Sequence, residues 1–392
     1  MRIKLKTLFV LSILSCGLFA QAPIVYINFV SHNEPNDDLN TFVNFNSTKL
    51  KVLQLADIMN MKGAAWNLQT CDEFAKGALD IQGATSNIFR DLATSPYDDN
   101  IEIDPRNKMS VYTNIADLYH VLDSLGANPT TTLGGFLYSP SPDWFKYQKP
   151  VNSVSFPGVS WNCNLMWGAG SPGHSNDYND YGIWKPDSVT ASTFITHNDG
   201  RNIWYVGNGC QPIYALDSTE NIADILTPLK AFIDSLQTSK LPQEKFYCYS
   251  ITINQSHFGP TLFSKVSTIC DTINAWGSDK IQWATLTDKL NIFENWQSNP
   301  SQYSQWKCGE MSTGLIEKKN IDFSIFPNPS QGIIELNTND NQEHNIIIYS
   351  ALGKEIMTTI FINNEVIDLS EAPSGIYIGT LDNEKTFKIV KQ

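Results

Sequence analysis

The chain has 392 residues, 42% hydrophobic and 11% aromatic, with ten tryptophans and a formal net charge of −13. That length buries a sizeable core, and two domains are expected. The acidic balance excludes nucleic acid and anionic membrane surfaces as partners, because binding phosphate needs a basic face.

The first element is a targeting segment. Arg2, Lys4 and Lys6 form a basic start, "LFVLSILSCGLFA" is a short apolar run, and Ala20 and Ala22 supply small residues for cleavage. The pattern predicts a signal peptide over residues 1–20, cut before Gln21. Cys16 after "ILS" leaves a lipid anchor as the alternative. The run is too short to span a bilayer, and no other segment is apolar enough, so no transmembrane segment is expected. Six further cysteines follow (Cys71, Cys163, Cys210, Cys248, Cys270 and Cys308), none in a C-x-x-C pair. In an exported chain they read as structural thiols or disulfides, not as a zinc ribbon.

From residue 21 to 312, strand-like and helix-like segments alternate. "PIVYINFV" reads as a strand and "TKLKVLQLADIMNMKG" as a helix closed by Gly63. "AAWNLQT" is strand-like, "SNIFRDLATSP" a short helix and "NIEID" a strand. "TNIADLYHVLDSLG" has the 3.6-residue period, with Thr113 or Asn114 as cap and Gly126 as stop. "TLGGFLYS", "NLMWGAG", "RNIWYVGN", "FYCYSITINQ" and "KIQWATL" read as further strands. "TENIADILTPLKAFIDSLQ" and "LTDKLNIFENWQ" read as helices. Repeated alternation of this kind predicts an α/β fold, a (β/α) barrel-like domain with parallel strands inside and helices outside.

After a linker at 313–320 the texture changes. Residues 321–392 hold only short alternating strands, with no tryptophan or cysteine, and predict a small all-β antiparallel sandwich. "FPNPSQGIIEL", "IIIYSALGKEI", "IDLSEAPSGIYIGTL" and the closing "KIVKQ" resemble the C-terminal sorting domain of type IX secretion in Bacteroidetes. The resemblance rests on Pro327 to Pro329 with Gly332, Gly353 with Lys354, Leu369 with Ser374 to Tyr377, and Lys388 with Lys391. It implies the type IX secretion machinery as a partner, export through the periplasm, and release or surface attachment.

In a barrel of parallel strands, functional side chains gather where strands end. His32, Asn33 and Glu34 follow the first strand, Asp104 ends "IEID", and His257 follows "FYCYSITINQ". Imidazole and carboxylate together pass protons or hold a divalent ion, and glycoside hydrolysis uses two carboxylates. Glu34, Asp104 and His32 are therefore the candidate catalytic residues, with His32 and Asp104 as candidate ligands of a divalent metal. The loop "WGAGSPGHSNDYNDYGIW" has the composition of a substrate loop, offering His174, Asp177 and Trp184. Asn33, Trp66 and His257 complete the candidate substrate-binding set.

"SHNE", "IEIDP" and "IQWATLTDKLNIFENW" resemble the glycoside hydrolase/deacetylase superfamily, distorted barrels acting on glycans. That likeness implies a glycan-active hydrolase, deacetylase-like, with a polysaccharide as partner. Two departures stand out. The chain has no Thr-Phe-Asp-Asp core or H-x-x-x-H pair, and after Asp104 and Pro105 it has Arg106 and Lys108 where relatives carry the two histidines of D-P-H-x-H. A non-catalytic glycan-binding or surface protein on the same fold is the alternative.

Overall fold

The structure is a computed structural model. It describes residues 22–33, 38–135, 144–168, 180–189, 194–210, 215–307, 323–338, 343–351, 354–381 and 385–392. The expected signal peptide and linker lie outside the described residues. The chain divides into two compact units, Met1–Ser312 and Thr313–Gln392.

The first unit opens with β1 (Val25–His32), α1 (Phe42–Lys62), β2 (Trp66–Thr70), α2 (Asp72–Gly77), α3 (Ile88–Leu92) and β3 (Ile101–Pro105). It continues with α4 (Ile115–Ser124), β4 (Thr132–Gly134), β5 (Val151–Asn152), β6 (Ser160–Trp161), β7 (Leu165–Trp167), β8 (Tyr181–Trp184) and β9 (Trp204–Val206). It closes with α5 (Ala223–Gln237), β10 (Tyr247–Ile253), α6 (Pro260–Asn274), β11 (Ile281–Trp283), α7 (Leu286–Trp296) and β12 (Ser304–Trp306).

β10, β1, β2 and β3 form a parallel sheet, with β11 pairing the lower half of β1. β4, β7 and β9 run parallel in a second sheet. A parallel bridge between Arg106 and Gly134 joins β3 to β4. The Ser250 amide donates to the Asn208 carbonyl, just beyond β9, and so ties β9 back to β10. The result is a distorted parallel barrel. One departure from parallel order is β8, antiparallel to β9, with β12 antiparallel to β8.

Strand alternation separates two faces. Val25, Ile27 and Phe29 of β1, Ile101 and Ile103 of β3, and Tyr247, Tyr249 and Ile251 of β10 pack outward against the helices. Val30, Leu165, Trp167, Trp204, Val206 and Cys248 point inward with Leu286, Leu290 and Phe293 of α7. The expected caps form: Gly63 takes φ 62° after α1, and the Asn114 side chain accepts from Asp117 N–H to start α4. α1 starts six residues before the predicted segment, and α6 was not anticipated.

The second unit has sheets β13 (Phe323–Phe326), β14 (Ile333–Thr338), β17 (Asn364–Asp368) and β15 (Glu343–Ser350), β16 (Glu355–Ile362), β18 (Gly375–Leu381), β19 (Lys385–Lys391). The pairings between these strands are antiparallel, and an isolated parallel bridge joins Ser330 to Lys391. Ile334, Leu336, Ile346, Ile348, Phe361, Ile367 and Leu381 form its own core between the sheets.

Candidate functional site

The strand registers set His32, Gln69 and Asp104 on one level. His32 pairs with Gln69 between β1 and β2, and Gln69 with Asp104 between β2 and β3. One inward level below lie Val30, Asn67 and Glu102. These polar residues alternate with the outward apolar ones, so their strands bring them into the barrel rather than to its surface.

Asp104 is fully buried. Thr130 Oγ1 donates to one carboxylate oxygen at 2.6 Å, while Asn67 Nδ2 and Gln69 Nε2 donate to the other at 3.1 and 3.4 Å. Those donors favour the charged form, but burial and the neighbouring Glu102 outweigh them and push its pKa up to about 7. Glu102, bonded by Asn67 Nδ2 at 2.9 Å and by the Thr287 amide, is also pushed up, chiefly by burial.

Deeper in the barrel, Lys289 of α7 is fully buried. Its ammonium donates to Asn28 Oδ1 at 2.5 Å, the Tyr249 carbonyl at 2.8 Å and Ser250 Oγ at 3.3 Å. Burial pulls its pKa down to about 7. Asn28 Nδ2 donates to Asn67 Oδ1 at 2.8 Å, so one hydrogen-bonded chain runs from Lys289 to the two acids.

The upper end of this interior is tightly built. Arg106, buried beyond β3, donates from Nη1 to the Asn33 carbonyl at 2.5 Å. Thr70 Oγ1 donates to Asn33 Oδ1 at 2.8 Å, and Asn33 Nδ2 donates to Gln255 Oε1 at 2.7 Å. His32 meets the edge of Trp167, with ring centres 5.8 Å apart. A Cβ on Gly134 would come within 2.6 Å of the Gln69 amide carbon, so only glycine leaves that amide its place. Gln69 Oε1, Thr132 Oγ1 and Trp167 Nε1, all buried, have no hydrogen-bond partner among the described residues.

The other expected residues fare differently. Glu34, His174 and Asp177 lie outside the described residues. His257 is half-buried in a turn after β10, where its Nδ1 lies 2.9 Å from Ser218 Oγ. Trp66 and Trp184 are corrections. Both indoles are fully buried, Trp66 donating to Ser31 Oγ and Trp184 to the Phe194 carbonyl, so neither offers a face to a sugar ring. High aromatic content here serves packing.

A divalent metal does not fit the described donor set. Both oxygens of Asp104 are already engaged, burial favours its protonated form, and the Arg106 cation occupies the same end of the barrel. No group of three His, Cys, Asp or Glu side chains suited to a metal occurs among the described residues.

Arg106, Thr132, Glu102 and Lys289 were not expected as site or interior residues. For Glu102 the signal was there in period two, since "VYINFV", "WNLQT", "IEIDP" and "YCYSITI" each place polar groups at alternate positions, but Arg106, Thr132 and Lys289 lie outside these runs.

Comparison with known proteins now adds one firm match. Residues 324–392 match the family described as "Secretion system C-terminal sorting domain". The expected resemblance of the tail to a sorting domain thus stands. No curated protein matches the chain. Among solved structures, a 4-alpha-glucanotransferase from Thermococcus litoralis is similar at 12% identity and TM-score 0.41, over 69% of this chain and 38% of its own. The chain therefore spans well under half of that enzyme. A probable polysaccharide deacetylase from Pseudomonas aeruginosa PAO1 is similar at 11% identity and TM-score 0.43, over 72% and 94%. Puue allantoinase follows at 9% and 0.43, over 72% and 93%. Nothing about this chain's chemistry follows from these three.

Proposed function

We propose that this is an exported, glycan-active hydrolase: the sorting tail directs secretion or surface attachment, and the barrel carries the chemistry. Asp104 acts as general base, His32 carries protons on the same level across Gln69, and Glu34 is the second carboxylate. The base takes a proton from water, the resulting hydroxide attacks the scissile centre, and the acid protonates the leaving group.

The observation that carries this reading is Asp104 itself. A carboxyl raised to about 7, level with a histidine at the strand ends of a barrel, is poised to exchange protons near neutrality. A base must be deprotonated to work, so kcat/KM should rise as pH passes through about 7. Asp104→Asn should lower kcat by about a hundredfold or more and abolish that rise. The measurement is hydrolysis of acetylated and unmodified polysaccharides by the purified full chain across pH 5 to about 9. Unchanged turnover in the variant would remove Asp104 as the base, and no turnover by the unaltered chain would remove the enzyme reading.

One observation favours the second reading, a glycan-binding protein without catalysis. Every oxygen of Asp104 is already held by protein donors, as in a purely structural acid. On that reading the chain binds glycan with no turnover in either form.

A further inference from the structure

A polar cleft of about 320 Å³ lies beside the strand ends, between α1 and the turn that follows β10. Asn44, Ser47, Thr48 and Lys51 line one wall, at the i, i+3, i+4, i+7 spacing that puts them on one helix face. Gln255 and Ser256 line the other, over a floor of Leu39 and Phe258. Gln255 is the same residue whose Oε1 accepts from Asn33 at the end of β1, so the cleft adjoins the barrel's upper rim.

Three donors on the helix wall, those of Ser47, Thr48 and Lys51, are uncommitted among the described residues. Helical Ser and Thr commonly bond back to the carbonyl four residues earlier. Ser235, Thr238, Thr268 and Thr272 all do so here, at 2.8 to 2.9 Å. Ser47 and Thr48 do not, and among the described residues neither hydroxyl has another partner. Lys51 is half-buried and forms no ion pair among the described residues, in a chain with 40 acidic against 27 basic side chains. Two free hydroxyls, a free ammonium and the facing Gln255 amide match a ligand rich in hydroxyls that carries one negative group.

We propose that this cleft is a subsite for an acidic saccharide, bearing a uronate carboxylate or a sulfate ester that Lys51 engages while Ser47, Thr48 and Gln255 take its hydroxyls. The proposal rests on the glycan reading above but concerns binding, so it is tested without turnover. Calorimetric titration of the full chain would use a tetra-uronate, a sulfated tetrasaccharide, a neutral tetrasaccharide and inorganic sulfate. Either acidic sugar should bind at least about tenfold tighter than the neutral one, and the tighter of the two identifies the anionic group. Lys51→Gln should erase that preference, and Ser47→Ala with Thr48→Val should weaken the acidic sugar about tenfold, with unchanged melting temperatures. Equal affinity for neutral and acidic sugars, inorganic sulfate binding as well as the sulfated sugar, or no effect of Lys51→Gln would each overturn the proposal. Binding that survives in Asp104→Asn separates the two hypotheses, since loss of turnover there leaves this subsite untouched.

Discussion

At the scale of single residues, Asp104 couples the barrel's stability to pH in a way that can be signed. Its ordinary value of 3.8 is raised to about 7 in the folded chain. Between those values the folded state holds a proton that the unfolded state has released. Its stabilising contribution is complete below the ordinary value, declines as pH climbs to about 7, and is gone above. The melting temperature of the wild type should therefore fall more steeply from pH 4.5 to about 7 than that of Asp104→Asn. The slope is the readout, because the amide also disturbs the Asn67 and Gln69 contacts. An identical slope would mean that Asp104 keeps its ordinary value. Residue type and strand position made Asp104 and His32 visible in the sequence. Burial decided the tryptophans, and nothing in one strand's sequence says whether its neighbour covers an indole.

At the scale of elements, α7 shows how a local cap serves the interior. Thr285 and Asp288 form a reciprocal capping box at its start. The box aims the next two amides inward, Leu286 N–H onto Asn67 Oδ1 at 3.1 Å and Thr287 N–H onto Glu102 at 3.2 Å. A helix start is the favourable place for a carboxylate, since its free amides carry partial positive charge. Thr285→Ala should cost about 1–2 kcal/mol in denaturant unfolding, with Glu102 losing its fixed position. A change under about 0.5 kcal/mol would show that the box contributes little. Strands and helix stops were legible because Gly63, Gly126 and the apolar runs act locally. α6 escaped because Pro260 and Gly259 at its start read first as loop. The antiparallel turn of β8 escaped because "YGIW" sits in a segment dominated by Gly, Asp and Asn.

At the scale of the molecule, the two units have separate cores. Buried residues from 25 to 306 build the barrel clusters, and those from 334 to 389 build the sandwich cluster. Cores that share no side chain should unfold in separate transitions. Scanning calorimetry of the full chain should show two, and a chain ending at Ser312 should keep the barrel's transition unshifted. A single transition that vanishes on truncation would mean the units fold as one. The change of texture after residue 312 made this division readable, because alternation period and residue usage switch together. The closing of the barrel was not, since it depends on bridges such as Arg106 with Gly134 that join segments far apart in sequence.

Packing also governs the sulfur chemistry of the chain. Cys210 is disulfide-bonded, whereas Cys71, Cys163, Cys248 and Cys270 are free and buried. Burial drives all four thiols upward, Cys71, Cys248 and Cys270 to about 12, so almost no thiolate exists at neutral pH. Outside the cell, oxidants meet none of these four thiols at the surface. Before the barrel closes, the same four sulfurs are open to mispairing. Survival of the reduced form is thus a race between folding and oxidation, and any substitution that slows barrel closure gives oxidation more time to win.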